Sequence, residues 1–275
     1  MKIKLVTTMS EKYWQATGQY TVSDWKQNMP EDSELWLHDT PDIPVQYDKR
    51  LPSSVCANPH WKGKLSEKEN YWHDAQAFTT NLTPPPGYMK EWKRFSHKSF
   101  AQWETAFADM SGIMVWMDAD VKIRKPLNKE VLLECLDGKF CGYFGRDRVN
   151  TKDPAYKKEY RHYEKLTIEG CFLIYNLDHP IARKFFTAFK NTYLSMAMFS
   201  YFDWCDTGAF EYTKSFFPAE NFNDITGHLP PVPSPLTISI LDEYLEHWMG
   251  TINKRERADV VGQKEKEMLK QRGTI

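Results

Sequence analysis

No single charge or residue type dominates this chain, and each shortage removes a class of function. The formal net charge is −1 over 275 residues. There is thus no global field of the kind that draws a protein to nucleic acid or an anionic membrane, and only a local basic patch could serve a nucleic acid. Cysteine is scarce: Cys56, Cys135, Cys141, Cys171 and Cys205 are dispersed, odd in number and include no Cys-x-x-Cys pair. That pattern argues against a disulfide framework and a zinc site and fits a reducing cytoplasm. No apolar run is long enough to cross a membrane, and Met1-Lys2-Ile3-Lys4-Leu5-Val6 enters a strand pattern with no signal-peptide core before it. The expected location is therefore the cytoplasm, without membrane insertion, and the sequon Asn81-Leu82-Thr83 is then accidental. Glycine-rich phosphate loops are missing too. There is no Gly-x-Gly-x-x-Gly and no Walker A motif, and Thr7 to Tyr13 holds no glycine at all. Internal repeats and domain linkers are likewise absent.

What is present describes a globular α/β chain. Hydrophobic residues make up 41% and charged residues 27%, a balance that supports a folded core. The length suits one large domain or two small ones. Lys2 to Thr8 and Glu34 to Asp39 read as strands, with a helix between them from Trp14 to Asn28. An irregular, proline-rich stretch follows from Thr40 to Gly87, long enough to be a lid or binding loop. Trp92, Phe95, Trp103, Phe107 and Met110 recur at helical spacing within a helix from Lys90 to Met110. Arg94 and Lys98, four residues apart, project from one face of it. Further strands are expected at Gly112–Val121, Cys141–Gly145 and Gly170–Asn176. Helices are expected at Asn128–Leu136, His179–Ser195, from Asp203, and at Leu236–Trp248. Phe222 to Pro235 reads as loop, and the tail from Lys254 as a charged, helix-prone segment. This β-α-β order predicts a parallel, Rossmann-like sheet.

The most informative run is Gly112-Ile113-Met114-Val115-Trp116-Met117-Asp118-Ala119-Asp120-Val121. An apolar run of this length reads as a buried central strand, and it ends abruptly in two carboxylates. In open α/β sheets ligands bind beyond the carboxyl ends of the strands, so Asp118 and Asp120 stand where a ligand belongs. Two aspartates there can hold Mg²⁺ or Mn²⁺, and such ions usually bring phosphates with them. The plain alternative is a strand followed by a polar turn, since Asp is common in turns.

Three later segments follow in order. They are Glu169-Gly170-Cys171-Phe172-Leu173-Ile174-Tyr175-Asn176, then Asp206-Thr207-Gly208-Ala209-Phe210, then His247-Trp248-Met249-Gly250-Thr251-Ile252-Asn253-Lys254. Together with Asp118-Ala119-Asp120 this order resembles the GT-A glycosyltransferases, in particular the glycogenin and galactosyltransferase-like group and its bacterial and phage relatives. The resemblance runs from Met1 to about Lys254. It implies a single GT-A, Rossmann-like α/β domain over 1–275, with a mixed, mainly parallel central sheet flanked by helices. Residues 1–127 would form the nucleotide-sugar-binding half, 128–255 the acceptor half and lid, and 256–275 a charged helical tail.

The resemblance also implies roles. Asp118, Asp120 and His247 look like the ligands of Mn²⁺ or Mg²⁺, which would bridge the diphosphate of a nucleotide-sugar, a UDP-sugar by preference. Gly250 would let the backbone approach that diphosphate and Lys254 would pair with it. Arg94 and Lys98 look like the basic pair facing the donor. Thr7, Thr8 and Met9 lie where the first strand meets the nucleoside. Asp206 looks like the acidic residue near the reacting sugar, and Glu169 offers a second carboxylate for catalysis. Retention of configuration is the favoured outcome. The chain departs from the pattern at several points. Three residues separate Gly250 from Lys254 instead of two, Thr207 replaces a Gln, and Glu169 and Cys171 flank the glycine of the second segment.

Plainer readings stand beside these. His247 can be an ordinary packed histidine on a helix with Tyr244 and Trp248, Arg94 and Lys98 a solvated face, and Asp206 an N-cap. Two other functions compete: a nucleotidyl or phosphoryl transferase with a two-Asp metal site, and a non-catalytic nucleotide-binding protein. The acceptor is expected to be a cell-surface glycan or a hydroxymethylated pyrimidine in phage DNA. For DNA, Lys62, Lys64, Lys90, Lys93 and Arg161 would form a phosphate-binding rim, with Trp61 or Trp72 stacking a flipped base. Oligomeric state is left open.

Overall fold

The computed structural model describes residues 1–9, 13–38, 49–51, 92–145, 168–195, 197, 205–226 and 239–247. Its centre is a sheet of seven strands. In chain order these are β1 (Ile3–Thr8), β2 (Ser33–His38), β3 (Lys49–Leu51), β4 (Ile113–Met117), β6 (Cys141–Gly145), β7 (Ile168–Asn176) and β8 (Phe222–Asp224). They lie in the order β3-β2-β1-β4-β7-β6-β8, and β7 alone runs against the rest. Two further strands, β5 (Val121–Ile123) and β9 (Leu245–His247), form a separate antiparallel pair. The expected mixed, mainly parallel α/β sheet flanked by helices is the observed architecture.

The residues explain the layering. All five residues of β4 are buried, and their alternation sends them to two cores. Met114 and Trp116 face helices α2 (Trp92–Ala108), α4 (Ala182–Leu194) and α5 (Asp206–Lys214). Ile113, Val115 and Met117 face α1, a helix whose first turn (Trp14–Gly18) is wide and whose body is Gln19–Asn28, and α3 (Lys129–Leu136). On α4 the apolar stripe Phe185, Phe189 and Tyr193 recurs every fourth residue and is fully buried. Each such ring contributes about 2–3 kcal/mol by the area it removes from water. On β1, Lys4 points into the first core. Its ammonium is neutralised there by Asp109 and donates to the backbone carbonyls of Asp109 and Ser111. This ties the end of α2 to the sheet just before β4 begins. Among the described residues no helix is long and apolar enough to cross a membrane.

Several elements differ from the sequence reading. The expected strand Gly112–Val121 is broken after Met117. There Asp118 to Val121 close a tight turn in which the Val121 amide donates to the Asp118 carbonyl at 2.9 Å. The expected helix Leu236–Trp248 is not formed in its described part. Residues 239–244 turn, the Leu245 amide bonding back to Leu241, and Leu245–His247 then extend as β9. Pairing with β5 satisfies this backbone, and that tertiary gain overrides helix propensity. Phe222–Asp224, read as loop, forms the edge strand β8 beside β6, and Lys49–Leu51, inside the stretch read as irregular, forms β3 beside β2.

Candidate metal centre and acidic cluster

The carboxyl end of β4 carries the candidate site. The Asp118 amide donates to the Cys171 carbonyl of neighbouring β7 at 2.9 Å, which fixes where the turn leaves the sheet. Helix α1 holds the turn from the other side. Thr17 and Thr21 donate from their hydroxyls to the Ala119 carbonyl at 3.2 and 3.0 Å, and the Trp25 indole donates to the Val121 carbonyl at 2.8 Å. These three residues are four apart, so one helical face makes all three bonds. The sequence reading missed them, although a Thr-x-x-x-Thr-x-x-x-Trp stripe was there to be seen.

His247 arrives by strand pairing. In the β5–β9 ladder Val121 stands opposite His247, which brings the imidazole to the turn. Its Nε2 lies 3.4 Å from Asp120 Oδ1, with both side chains nine-tenths buried. Asp118, Asp120 and His247 each offer one ligand atom, and all three atoms lie within 4.8 Å of one another. Asp118 Oδ1 and His247 Nδ1 are buried with no hydrogen-bond partner among the described residues. Orphaned ligand-type atoms at one point fit a cation, because a buried polar atom left unsatisfied costs about 1–3 kcal/mol. The charge pattern agrees. Burial opposes a proton on His247, yet the neighbouring Cys171 sulfur and Asp120 carboxylate outweigh it and raise the imidazole's pKa well above the ordinary value. Surroundings that favour a proton there favour a divalent cation in its place.

Lys98 stands beside this cluster. From α2 its ammonium donates to Asp118 Oδ2 at 2.7 Å and sits 3.7 Å from Asp206 Oδ2. Burial works against its charge, but Asp118 and Asp206 reverse that effect and raise its pKa above the usual lysine value. The stability this contributes is complete below the ordinary lysine range and is lost only as pH rises through the raised value. Asp206 is the first residue of α5 and is buried. Cys205, not Asp206, occupies the N-cap position, which corrects the capping alternative.

Gly170 sets where Asp206 stands. A Cβ at Gly170 would lie 2.8 Å from both Asp206 Oδ2 and Thr207 Cγ2, and the Gly170 carbonyl accepts from the Trp116 indole at 3.1 Å. Gly170→Ala is therefore expected to displace the Asp206 carboxylate from its place beside Lys98. On the reading that this site is catalytic, turnover should drop by roughly 10²-fold, the scale of a misplacement of about 1 Å. Mn²⁺ affinity, read by paramagnetic resonance titration, should stay within a few-fold of wild type. Unchanged turnover would show that the position of Asp206 does not matter.

The other expected residues are distributed as follows. Thr7 and Thr8 end β1 alongside the end of β4. Thr7 Oγ1 is buried without a hydrogen-bond partner among the described residues, and the Thr8 hydroxyl donates to the His38 carbonyl at 3.1 Å. The Met9 side chain is buried in the core on the α1 side. Glu169 lies on β7 two residues before Cys171 and falls within reach of His247. Arg94 is on α2, one turn before Lys98, but its side chain lies outside the described residues, as does that of Lys93. Gly250, Lys254, Lys62, Lys64, Lys90, Arg161, Trp61 and Trp72 lie outside them altogether. His247 is on a strand, not on the helix expected for it.

No family model matches this chain, and no curated protein matches it. Among solved structures it is similar to mouse xyloside xylosyltransferase 1 in its apo form. The identity is 12%, over 81% of this chain and 83% of that one, with a TM-score of 0.42. It is also similar to a glycosyltransferase involved in the glycosylation of the major capsid of PBCV-1. Here the identity is again 12%, over 96% of this chain and 100% of that one, with a TM-score of 0.49.

Proposed function

We propose that the chain is a metal-dependent glycosyltransferase that moves a sugar from a nucleotide-sugar, a UDP-sugar by preference, to an acceptor hydroxyl. The observation that carries this reading is the meeting of Asp118, Asp120 and His247 at the carboxyl end of the central strand, with Lys98 and Asp206 beside them. Asp118, Asp120 and His247 would hold Mn²⁺ or Mg²⁺. When bound, such an ion supplies Lewis-acid neutralisation of the charge that builds on a departing diphosphate. The Lys98 ammonium adds a second positive charge at the same edge, fixed in place before the reaction by its two carboxylate partners. Asp206, 3.7 Å from the Lys98 ammonium and with Gly170 leaving room beside it, would orient the sugar or the incoming hydroxyl. Glu169 is the second candidate for that work. Thr7 and Thr8, at the end of the adjacent strand, would contact the nucleoside. Retention of configuration is taken as the stereochemical outcome, and the acceptor as a glycan or a hydroxymethylated pyrimidine in DNA.

The test is a panel of UDP-sugars with and without Mn²⁺, offered glycan acceptors and hydroxymethylated duplex DNA. At least one donor should raise the unfolding temperature only when the metal is present, and should release UDP slowly without acceptor and faster with one. Release of pyrophosphate or phosphate instead would point to nucleotidyl or phosphoryl transfer. No response to any donor would remove the proposal.

A further inference from the structure

The site as read above leaves the sulfur of Cys171 unused. Glu169, Cys171 and His247 also offer one ligand atom each, all within 4.8 Å of one another. His247 is therefore shared between two groups: an oxygen-rich one with Asp118 and Asp120, and one that contains a sulfur. The backbone explains the second group. Glu169 and Cys171 are alternate residues of β7, so they face the same way, and Gly170 between them adds no side chain. The ladder with β6 shifts here. Tyr143 stands opposite Leu173 and the next residue, Phe144, opposite Glu169, so residues 170–172 bulge from the pairing. Bulges re-aim side chains next to functional sites. Cys171 is fully buried and the His247 side chain is only 9% exposed, with its Nδ1 lacking a hydrogen-bond partner among the described residues.

Donor chemistry separates the two groups. Two aspartates and an imidazole suit Mg²⁺ or Mn²⁺, whereas carboxylate, thiolate and imidazole together suit a borderline ion such as Zn²⁺ or Co²⁺. We propose that Glu169, Cys171 and His247 form a thiolate-bearing site for Zn²⁺, and that its occupancy withdraws His247 from Asp118 and Asp120 and so inhibits the enzyme. On binding, the Cys171 S–H bond and the extra N–H bond of a protonated His247 break, the sulfur ligates as thiolate and the imidazole through its freed nitrogen, and the protons pass to solvent. The regulatory half of this inference rests on the metal role proposed above for Asp118, Asp120 and His247; the binding half does not.

The experiment titrates the full chain with Co²⁺ as a visible surrogate for Zn²⁺. A thiolate-to-cobalt charge-transfer band in the near ultraviolet is expected in the wild type, and Zn²⁺ should bleach it. The band should vanish in Cys171→Ser, a substitution that nearly preserves volume. In Glu169→Gln, which keeps the sulfur, Co²⁺ should bind roughly tenfold more weakly. Asp118→Asn should keep the band while losing Mn²⁺ binding by paramagnetic resonance. No band in the wild type, or a band that survives in Cys171→Ser, overturns the site. A band together with no Mn²⁺ binding by the wild type leaves the thiolate site standing and instead sinks the metal role of the aspartates. Zn²⁺ binding without any loss of Mn²⁺-supported turnover overturns the inhibition.

Discussion

Asp120→Asn is expected to lower kcat/KM for the donor by roughly 10²–10³-fold, the scale set by removing one preorganised electrostatic contact. Asparagine matches the shape of aspartate, and the turn itself survives. The bond that closes it runs between the backbones of Asp118 and Val121, and its outer carbonyls are held by Thr17, Thr21 and Trp25. What is lost is the charge beside His247. Mn²⁺ affinity should fall with the activity, by at least about tenfold. Folding stability should change by only about 1 kcal/mol, because a neutral imidazole tolerates burial far better than an unpaired charge. Parallel Mn²⁺ titration, donor kinetics and urea unfolding decide the matter. Wild-type Mn²⁺ affinity in this variant would remove Asp120 from the metal centre.

Lys98→Met should have the second largest effect, and a different signature. Methionine keeps the length of the stem but deletes the ammonium, and with it the approach of Nζ to the Phe95 ring at 5.4 Å. Asp118 and Asp206 then face one another with no cation between them. Breaking a buried pair costs about 3–5 kcal/mol. Because 21% of the Lys98 side chain is exposed, solvent screening brings the expected loss nearer to about 2 kcal/mol. Turnover should fall by roughly 10²-fold, because the proposed transfer loses one of the positive charges that would face the departing diphosphate. Saturating Mn²⁺ should restore part of the stability, by neutralising Asp118, without restoring turnover. A urea midpoint and a kcat/KM both within about twofold of wild type would show that Lys98 is a bystander; an Arg replacement is not an adequate control, since its planar fork differs from a compact ammonium.

The sequence carried much of this arrangement, for identifiable reasons. β4, β7 and α4 announce themselves through apolar runs or stripes, because each buries a whole strand or face. Asp118 and Asp120 were legible because polar residues follow an apolar strand abruptly. The three-residue strands β3, β8 and β9 were not. Three residues are too few to show a period, and each is defined only by its pairing with another strand, for β8 and β9 one far away in the chain. His247 illustrates both halves of this. The order of the segments pointed to it, yet local pattern placed it on a helix. Only the pairing of Val121 with His247 accounts for its position. Cys171 was passed over because the histidine it faces arrives from a strand more than seventy residues further on.

The pairing of β5 with β9 has a mechanical consequence. It joins the turn at the middle of the chain to a strand near its far end, so a cation held by Asp118, Asp120 and His247 would staple shut a very long loop. Closing such a loop carries an entropic cost that rises only slowly with its length. An ion that binds the folded chain alone offsets that cost by mass action, growing with its concentration over its dissociation constant. Peeling β9 from β5 and releasing the ion would then be one event, and the last strand's hold on the fold would track the supply of metal.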